Sequence, residues 1–133
     1  MDGISGLREK KLREFSALIG GVRMENVKDV NEGNFEKEVI EASFKAPVLV
    51  DFWAQWCGPC RMLGPTLEKL AGEFKGRFTL AKLNVDESPS KSAQYSVMSI
   101  PNVKMFRDGK VVDEFVGALP EIAVRQWLDE GLK

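Results

Sequence analysis

The chain has 133 residues, enough for one compact domain and a short appendage. With 44% hydrophobic and 29% charged residues it can bury a core, and a formal net charge of −1 gives no reason to expect nucleic acid or an anionic membrane as partner. No apolar run reaches the length of a membrane span, and Arg8, Glu9, Lys10, Lys11, Arg13 and Glu14 interrupt what a signal peptide would keep apolar, so a reducing compartment, most simply the cytoplasm, is expected.

In chain order, Ile4, Leu7, Leu12, Phe15, Leu18, Ile19 and Val22 recur at helical spacing and predict an amphipathic helix ended by Gly20-Gly21. Residues 1–23 are accordingly set apart as an N-terminal extension from a domain spanning 24–133. Val27 to Val30 reads as a short strand, and Asn34 is placed to cap a helix running through Ser43. Pro47 to Ala54 is almost continuously apolar, which suits a central strand covered on both faces. Asp51 is its one charge and shares a face with Leu49 and Trp53, so it should point into a covered layer. A long helix is expected from Cys57 to about Lys75, with Pro65 removing a backbone donor and kinking it.

Arg77 to Val85 is a further strand, and Ser88-Pro89 reads as a helix cap followed by first-turn proline. Val103 to Arg107 and Val111 to Val116 flank Asp108-Gly109-Lys110, a hairpin signal. After Gly117, a terminal helix should run from about Pro120 through Glu130. Strands separated by helices argue for parallel pairing, and the hairpin adds an antiparallel edge.

Cys57-Gly58-Pro59-Cys60 contains the only two cysteines. Their spacing puts both sulfurs on one face of a first helical turn, close enough to bond. The ring they would close is tiny and adds little chain-entropy stabilisation, so the pair reads as one that opens and closes. A structural zinc needs four thiolate or imidazole ligands, and the chain has no histidine; a zinc shared by two molecules is the remaining metal alternative. Haem attachment and a cysteine–histidine nucleophile fail for the same lack of histidine. Two inert cysteines would leave Gly58-Pro59 unexplained. Cys57 lies at the helix start, where unsatisfied amides favour an anion, and is the expected nucleophile; Cys60, one turn in, should be less accessible and act as the resolving thiol. A buried Asp51 would have a raised pKa and could take the Cys60 proton.

The stretch Val50-Asp51-Phe52-Trp53-Ala54-Gln55-Trp56 leading into this motif, and the chain from about Met24 to Lys133, resemble the thioredoxin family. The resemblance implies an α/β fold with a central mixed sheet of four to five strands between helices. It implies a dithiol–disulfide oxidoreductase that reduces protein disulfides, is recycled by a separate thioredoxin reductase, and carries no bound cofactor or metal beyond the redox-active pair Cys57–Cys60. A monomer without membrane or nucleic-acid partners is expected. The family's Gly-Pro between the cysteines accompanies reducing members. Its buried acid matches Asp51, and its lysine on the next strand matches Lys82. Pro101 matches the proline that family members hold in the cis form opposite the cysteines. The backbone of Ile100 would then pair with an extended substrate segment, and Trp56, Gly58, Pro59, Ile100, Pro101, Gly117 and Ala118 would make the docking surface. Asn102 and Gln55 depart from the residues common there and are candidates for tuning partner choice; Pro120 replaces a polar helix cap.

A binding module that clamps a partner without redox chemistry is the alternative, and an oxidant or isomerase is disfavoured by Gly58-Pro59. The joint presence of both cysteines, Asp51 and Pro101 favours the enzyme. Residues 1–23 carry five basic and three acidic residues, net +2, against net −3 over Met24–Lys133. They are expected to be dispensable for redox activity. They are either an appendage that docks its apolar stripe, or translated leader upstream of a start at Met24.

Overall fold

The computed structural model describes residues 26–133. The expectations placed on residues 1–23 lie outside them. Strand β1 (Val27–Val30) leads to a π-helical segment (Glu36–Glu41) that runs into a 3-10 turn (Ala42–Phe44). Then come β2 (Val48–Trp53), α1 (Gly58–Glu73), β3 (Thr79–Asn84), α2 (Pro89–Gln94), the hairpin β4 (Asn102–Arg107) and β5 (Lys110–Val116), and α3 (Glu121–Gly131). The five strands form one mixed sheet in the order β1-β3-β2-β4-β5. The β1–β3 and β2–β3 pairs are parallel, and the β2–β4 and β4–β5 pairs antiparallel.

The apolar run of β2 is explained by its position. It is the middle strand, and Val48, Leu49, Val50 and Phe52 are all buried because each face of the sheet carries its own core. On one face Leu49, Leu80, Val103 and Met105 pack against Leu63, Leu67 and Leu70 of α1 and Val124 and Leu128 of α3. On the other, Val48, Val50, Phe52, Leu83 and Phe106 pack with Phe35 and Val39 of the π-helical segment. Asp51 alternates with Leu49 on the α1 face and is 1% exposed.

Two capping expectations need correction. Asn34 does not cap the following helix: its Oδ1 accepts the Asn31 N–H at 2.7 Å. Asn31 Oδ1 in turn accepts the N–H groups of Gly33 and Asn34 at 2.8 and 3.1 Å. The two short amides close a loop on themselves instead of serving the helix. The segment expected as a helix through Ser43 is helical, as a π-helix over Glu36–Glu41 and then a 3-10 turn over Ala42–Phe44. Ser88 does sit at the cap of α2, but its hydroxyl makes no capping bond and is buried without a partner. Helix α1 ends at Glu73, close to the expected Lys75, because Lys75 (φ 47°) and Gly76 (φ 83°) adopt left-handed conformations that turn the chain toward β3. Pro65 lies inside α1 as expected, and has no N–H for the Arg61 carbonyl one turn back.

Candidate active site

The carboxyl end of β2 delivers the chain to the first turn of α1 at the middle of the sheet. Cys57 is the N-cap of that helix, with extended backbone angles (φ −91°, ψ 109°), and its Sγ accepts the Cys60 N–H at 3.2 Å. Gly58 and Pro59 occupy the first helical positions, where proline's missing N–H leaves nothing unsatisfied. Cys57 and Cys60 are joined as a disulfide with Cα atoms 5.3 Å apart. Their exposures are 5% and 3%, so the expected difference in accessibility is small in this oxidised state. What separates them is position. The Cys57 sulfur lies at the helix terminus, 3.9 Å from the Ile100 carbonyl oxygen, while Cys60 packs one turn inward.

The Ile100–Pro101 peptide is cis, the form implied by the resemblance. Pro101 is buried and Ile100 half-buried against the disulfide and Ala54. Gly117 donates its N–H to the Pro101 carbonyl at 2.8 Å with φ 97°, a left-handed conformation that favours glycine. Ala118 beside it is exposed. Around the disulfide, Trp56, Gly58 and Pro59 are exposed too, and Trp56 is held by its indole N–H donating to Asp86 Oδ2 at 2.8 Å. The expected docking residues therefore converge from three separated segments. Gln55 is exposed in the same region. Asn102 is not: it is 4% exposed and donates to Glu114 Oε1 at 3.4 Å, so it meets β5 rather than an incoming partner.

Behind the disulfide, a cleft of about 190 Å³ is lined by Asp51, Cys60, Arg61, Gly64, Glu68 and Lys82, among others. Asp51 lies in its inner wall, and neither of its carboxylate oxygens has a hydrogen-bond partner. Burial pushes this carboxyl up to about 7; the Lys82 ammonium pulls it back and the Glu68 carboxylate adds to the rise. Lys82 stands directly across from Asp51 in the β2–β3 ladder, as implied, yet its ammonium binds Glu68 Oε2 at 2.8 Å. That ammonium also lies 5.5 Å from the Trp53 ring centroid.

Sequence reasoning missed Glu68 and Asp86. Glu68 was within reach of it, since Cys60, Gly64 and Glu68 follow the four-residue spacing that keeps side chains on one helix face. Asp86 follows β3 in a separate segment from Trp56, and only the sheet order brings the two together. Among the described residues, no group of three or more His, Cys, Asp or Glu side chains is placed to hold a metal.

The thioredoxin family profile matches residues 26–130. The chain belongs to the thioredoxin family. It is 49% identical over 102 residues to Thioredoxin 2 of Chlorobaculum tepidum, an alignment covering 77% of this chain and 92% of that protein. It is 48% identical over 103 residues to a thioredoxin of Staphylococcus epidermidis, with 77% and 95% covered. Against the chloroplastic M-type thioredoxin of Chlamydomonas reinhardtii it is 43% identical over 103 residues, with 77% and 72% covered. The mixed five-stranded sheet flanked by helices is the thioredoxin fold, and the bonded Cys57–Cys60 pair is its redox-active disulfide. As a member of that family the chain is a thiol–disulfide oxidoreductase that reduces protein disulfides. No helix among the described residues is long and apolar enough to cross a membrane.

Proposed function

We propose that reduction proceeds with Cys57 as nucleophile, Cys60 as resolving thiol and Asp51 as the group that takes the Cys60 proton. The observation that carries this assignment is the position of Cys57 at the N-terminus of α1, with a backbone N–H already aimed at its sulfur. Together with the positive end of the helix dipole, such a donor favours the thiolate over the thiol. In the reduced protein the Cys57 thiolate attacks one sulfur of a substrate disulfide. The Cys57–substrate bond forms, the substrate S–S bond breaks, and the first substrate sulfur leaves as thiolate and takes a proton from solvent. Cys60 then transfers its proton to Asp51, and its thiolate attacks the Cys57 sulfur. The mixed disulfide breaks, the second substrate thiolate leaves, and Cys57–Cys60 carries the oxidation. Two electrons have passed from the protein dithiol to the substrate.

A carboxyl held at about 7 suits this exchange, because it both accepts and returns a proton near neutrality. The substrate segment lies extended across Ile100 and Pro101, with Trp56, Gly58, Pro59, Gly117 and Ala118 as its apolar floor. A separate thioredoxin reductase returns the disulfide to the dithiol in the cytoplasm, and the working unit is a monomer. Residues 1–23 form an extension outside the redox domain.

Trapping tests the assignment. Cys60→Ser should accumulate mixed disulfides between Cys57 and substrate, and Cys57→Ser should neither trap nor reduce. If Cys57→Ser traps instead, or Cys60→Ser turns over normally, the two roles are wrong.

A further inference from the structure

Lys82 stands in the sheet between two aspartates on neighbouring strands, Asp51 of β2 and Asp29 of β1. Adjacent strands lie about 4.8 Å apart, so either carboxylate is within the reach of a lysine side chain. The ammonium nevertheless goes to Glu68 on α1, at 2.8 Å, and Asp51 is left with both oxygens unpartnered at 1% exposure. Glu68 and Lys82 are each partly exposed, and both line the cleft whose inner wall holds Asp51 and Cys60. Gly64, one turn before Glu68, lies beside the ammonium: a Cβ there would be 3.7 Å from Lys82 Nζ, an ordinary contact.

We propose that Glu68 is a positioning residue for disulfide reduction: by binding the Lys82 ammonium toward α1, it keeps that cation off Asp51 and leaves Asp51 free to accept the Cys60 proton. The proposal deepens the mechanism above and rests on Asp51 being the acceptor. Its physical content is a competition for one cation. A buried carboxylate that gains a direct ammonium partner becomes a weaker base, since the ion pair favours the charged form. Lys82 lies opposite Asp51 in register and would become that partner once Glu68 lost its charge. The charged groups that bear on Asp51 are Lys82 of β3, Glu68 and Arg61 of α1, and Asp29 beyond Lys82; β4 faces it with the apolar Val103. The direct field of Glu68 acts in the same direction, because the loss of a nearby negative charge also makes Asp51 easier to ionise.

The test follows the Asp51 carboxyl 13C chemical shift against pH in the full oxidised chain, with the resonance assigned by its loss in Asp51→Asn. Glu68→Gln should lower the titration midpoint by about one pH unit or more, the size expected for an opposite charge arriving beside a carboxylate. Lys82→Gln should raise it. In the Lys82→Gln background, Glu68→Gln should produce a clearly smaller drop, because the cation it controls is gone. In single-turnover reactions, Glu68→Gln should slow release of the second substrate thiol at alkaline pH and leave formation of the mixed disulfide unchanged. A role in stability alone would instead lower the denaturant midpoint and leave the titration where it was.

An unmoved or raised midpoint in Glu68→Gln overturns the proposal. So does an equal drop with and without Lys82, which would make Glu68 a source of field and nothing more. If Asp51→Asn slows release while Glu68→Gln leaves the titration unmoved, the acceptor stands and the role of Glu68 falls. If Asp51→Asn leaves release unchanged, the acceptor assignment fails and the proposal fails with it.

Discussion

At the scale of single residues, Asp51 is where stability and activity conflict. A buried carboxyl with no hydrogen-bond partner is costly to ionise, and its pKa rises from 3.8 to about 7. The native state therefore holds this proton more tightly than the unfolded chain. The contribution to stability is fully present below the unfolded pKa and is lost as pH rises through about 7. At about 1.4 kcal/mol per unit, a rise of some three units sets an upper bound of roughly 4 kcal/mol on that loss. Asp51→Asn removes the titration but buries an amide whose own unmet hydrogen bonds cost about 1–3 kcal/mol, so the net gain at pH 8 should be about 1–3 kcal/mol. Denaturant melts at pH 4 and pH 8 check this. The wild-type protein should lose stability between the two and the Asn variant should not; parallel losses would sink the buried-acid argument. The same variant should slow reduction if Asp51 is the proposed proton acceptor, and single-turnover rates of the two proteins check this.

At the scale of elements, the turn of the β4–β5 hairpin is tied to the 3-10 segment through a single residue, Ser43. Asp108 (φ 52°) and Gly109 (φ 81°) form the two-residue turn, a pair of positive φ values whose twist suits a hairpin. The turn's N–H groups point back at the 3-10 segment: Asp108 N–H to the Ser43 carbonyl at 3.0 Å, and Gly109 N–H to Ser43 Oγ at 2.8 Å. Ser43 is 4% exposed and donates its hydroxyl to the Ile40 carbonyl at 2.6 Å. Ser43→Ala leaves the half-buried Gly109 N–H without its acceptor and should cost about 1 kcal/mol in equilibrium unfolding. Redox activity of the folded fraction should be unchanged, because this end of the hairpin is opposite the end that carries Pro101 and Gly117. The same segment shows why propensity misled at Asn34. The side chain that looked like a forward cap had a closer acceptor role at Asn31, three residues back.

At the scale of the whole molecule, every residue assigned to the redox site lies within 26–130, the span that matches the family. The sheet and the helix that follows its middle strand bring Cys57, Cys60, Asp51, Lys82 and Pro101 together. Deleting residues 1–23 should therefore leave reductase-coupled turnover unchanged, and a loss of turnover would assign those residues a part in the reaction. Intact-mass measurement on the protein from its own cells would separate the two explanations for the segment. A mass starting at Met1 or Asp2 removes the explanation of a start at Met24, and one starting at Met24 removes the appendage.

The sequence by itself determined the strands, the hairpin, the placement of the cysteine pair at a helix start, and the burial of Asp51. Each of these rests on local pattern: a two-residue alternation, a turn dipeptide, or a three-residue spacing on one helix face. The tertiary structure alone decided who partners whom. Asp51 and Lys82 are far apart in the chain, and their being opposite follows from parallel register, while the diversion of Lys82 to Glu68 follows from where α1 crosses the sheet. Trp56 with Asp86, Ser43 with the hairpin turn, and Ile100 with the Cys57 sulfur are of the same kind. Period and propensity act over a few residues, whereas the electrostatics of a buried acid depend on every charge the fold brings within several ångströms.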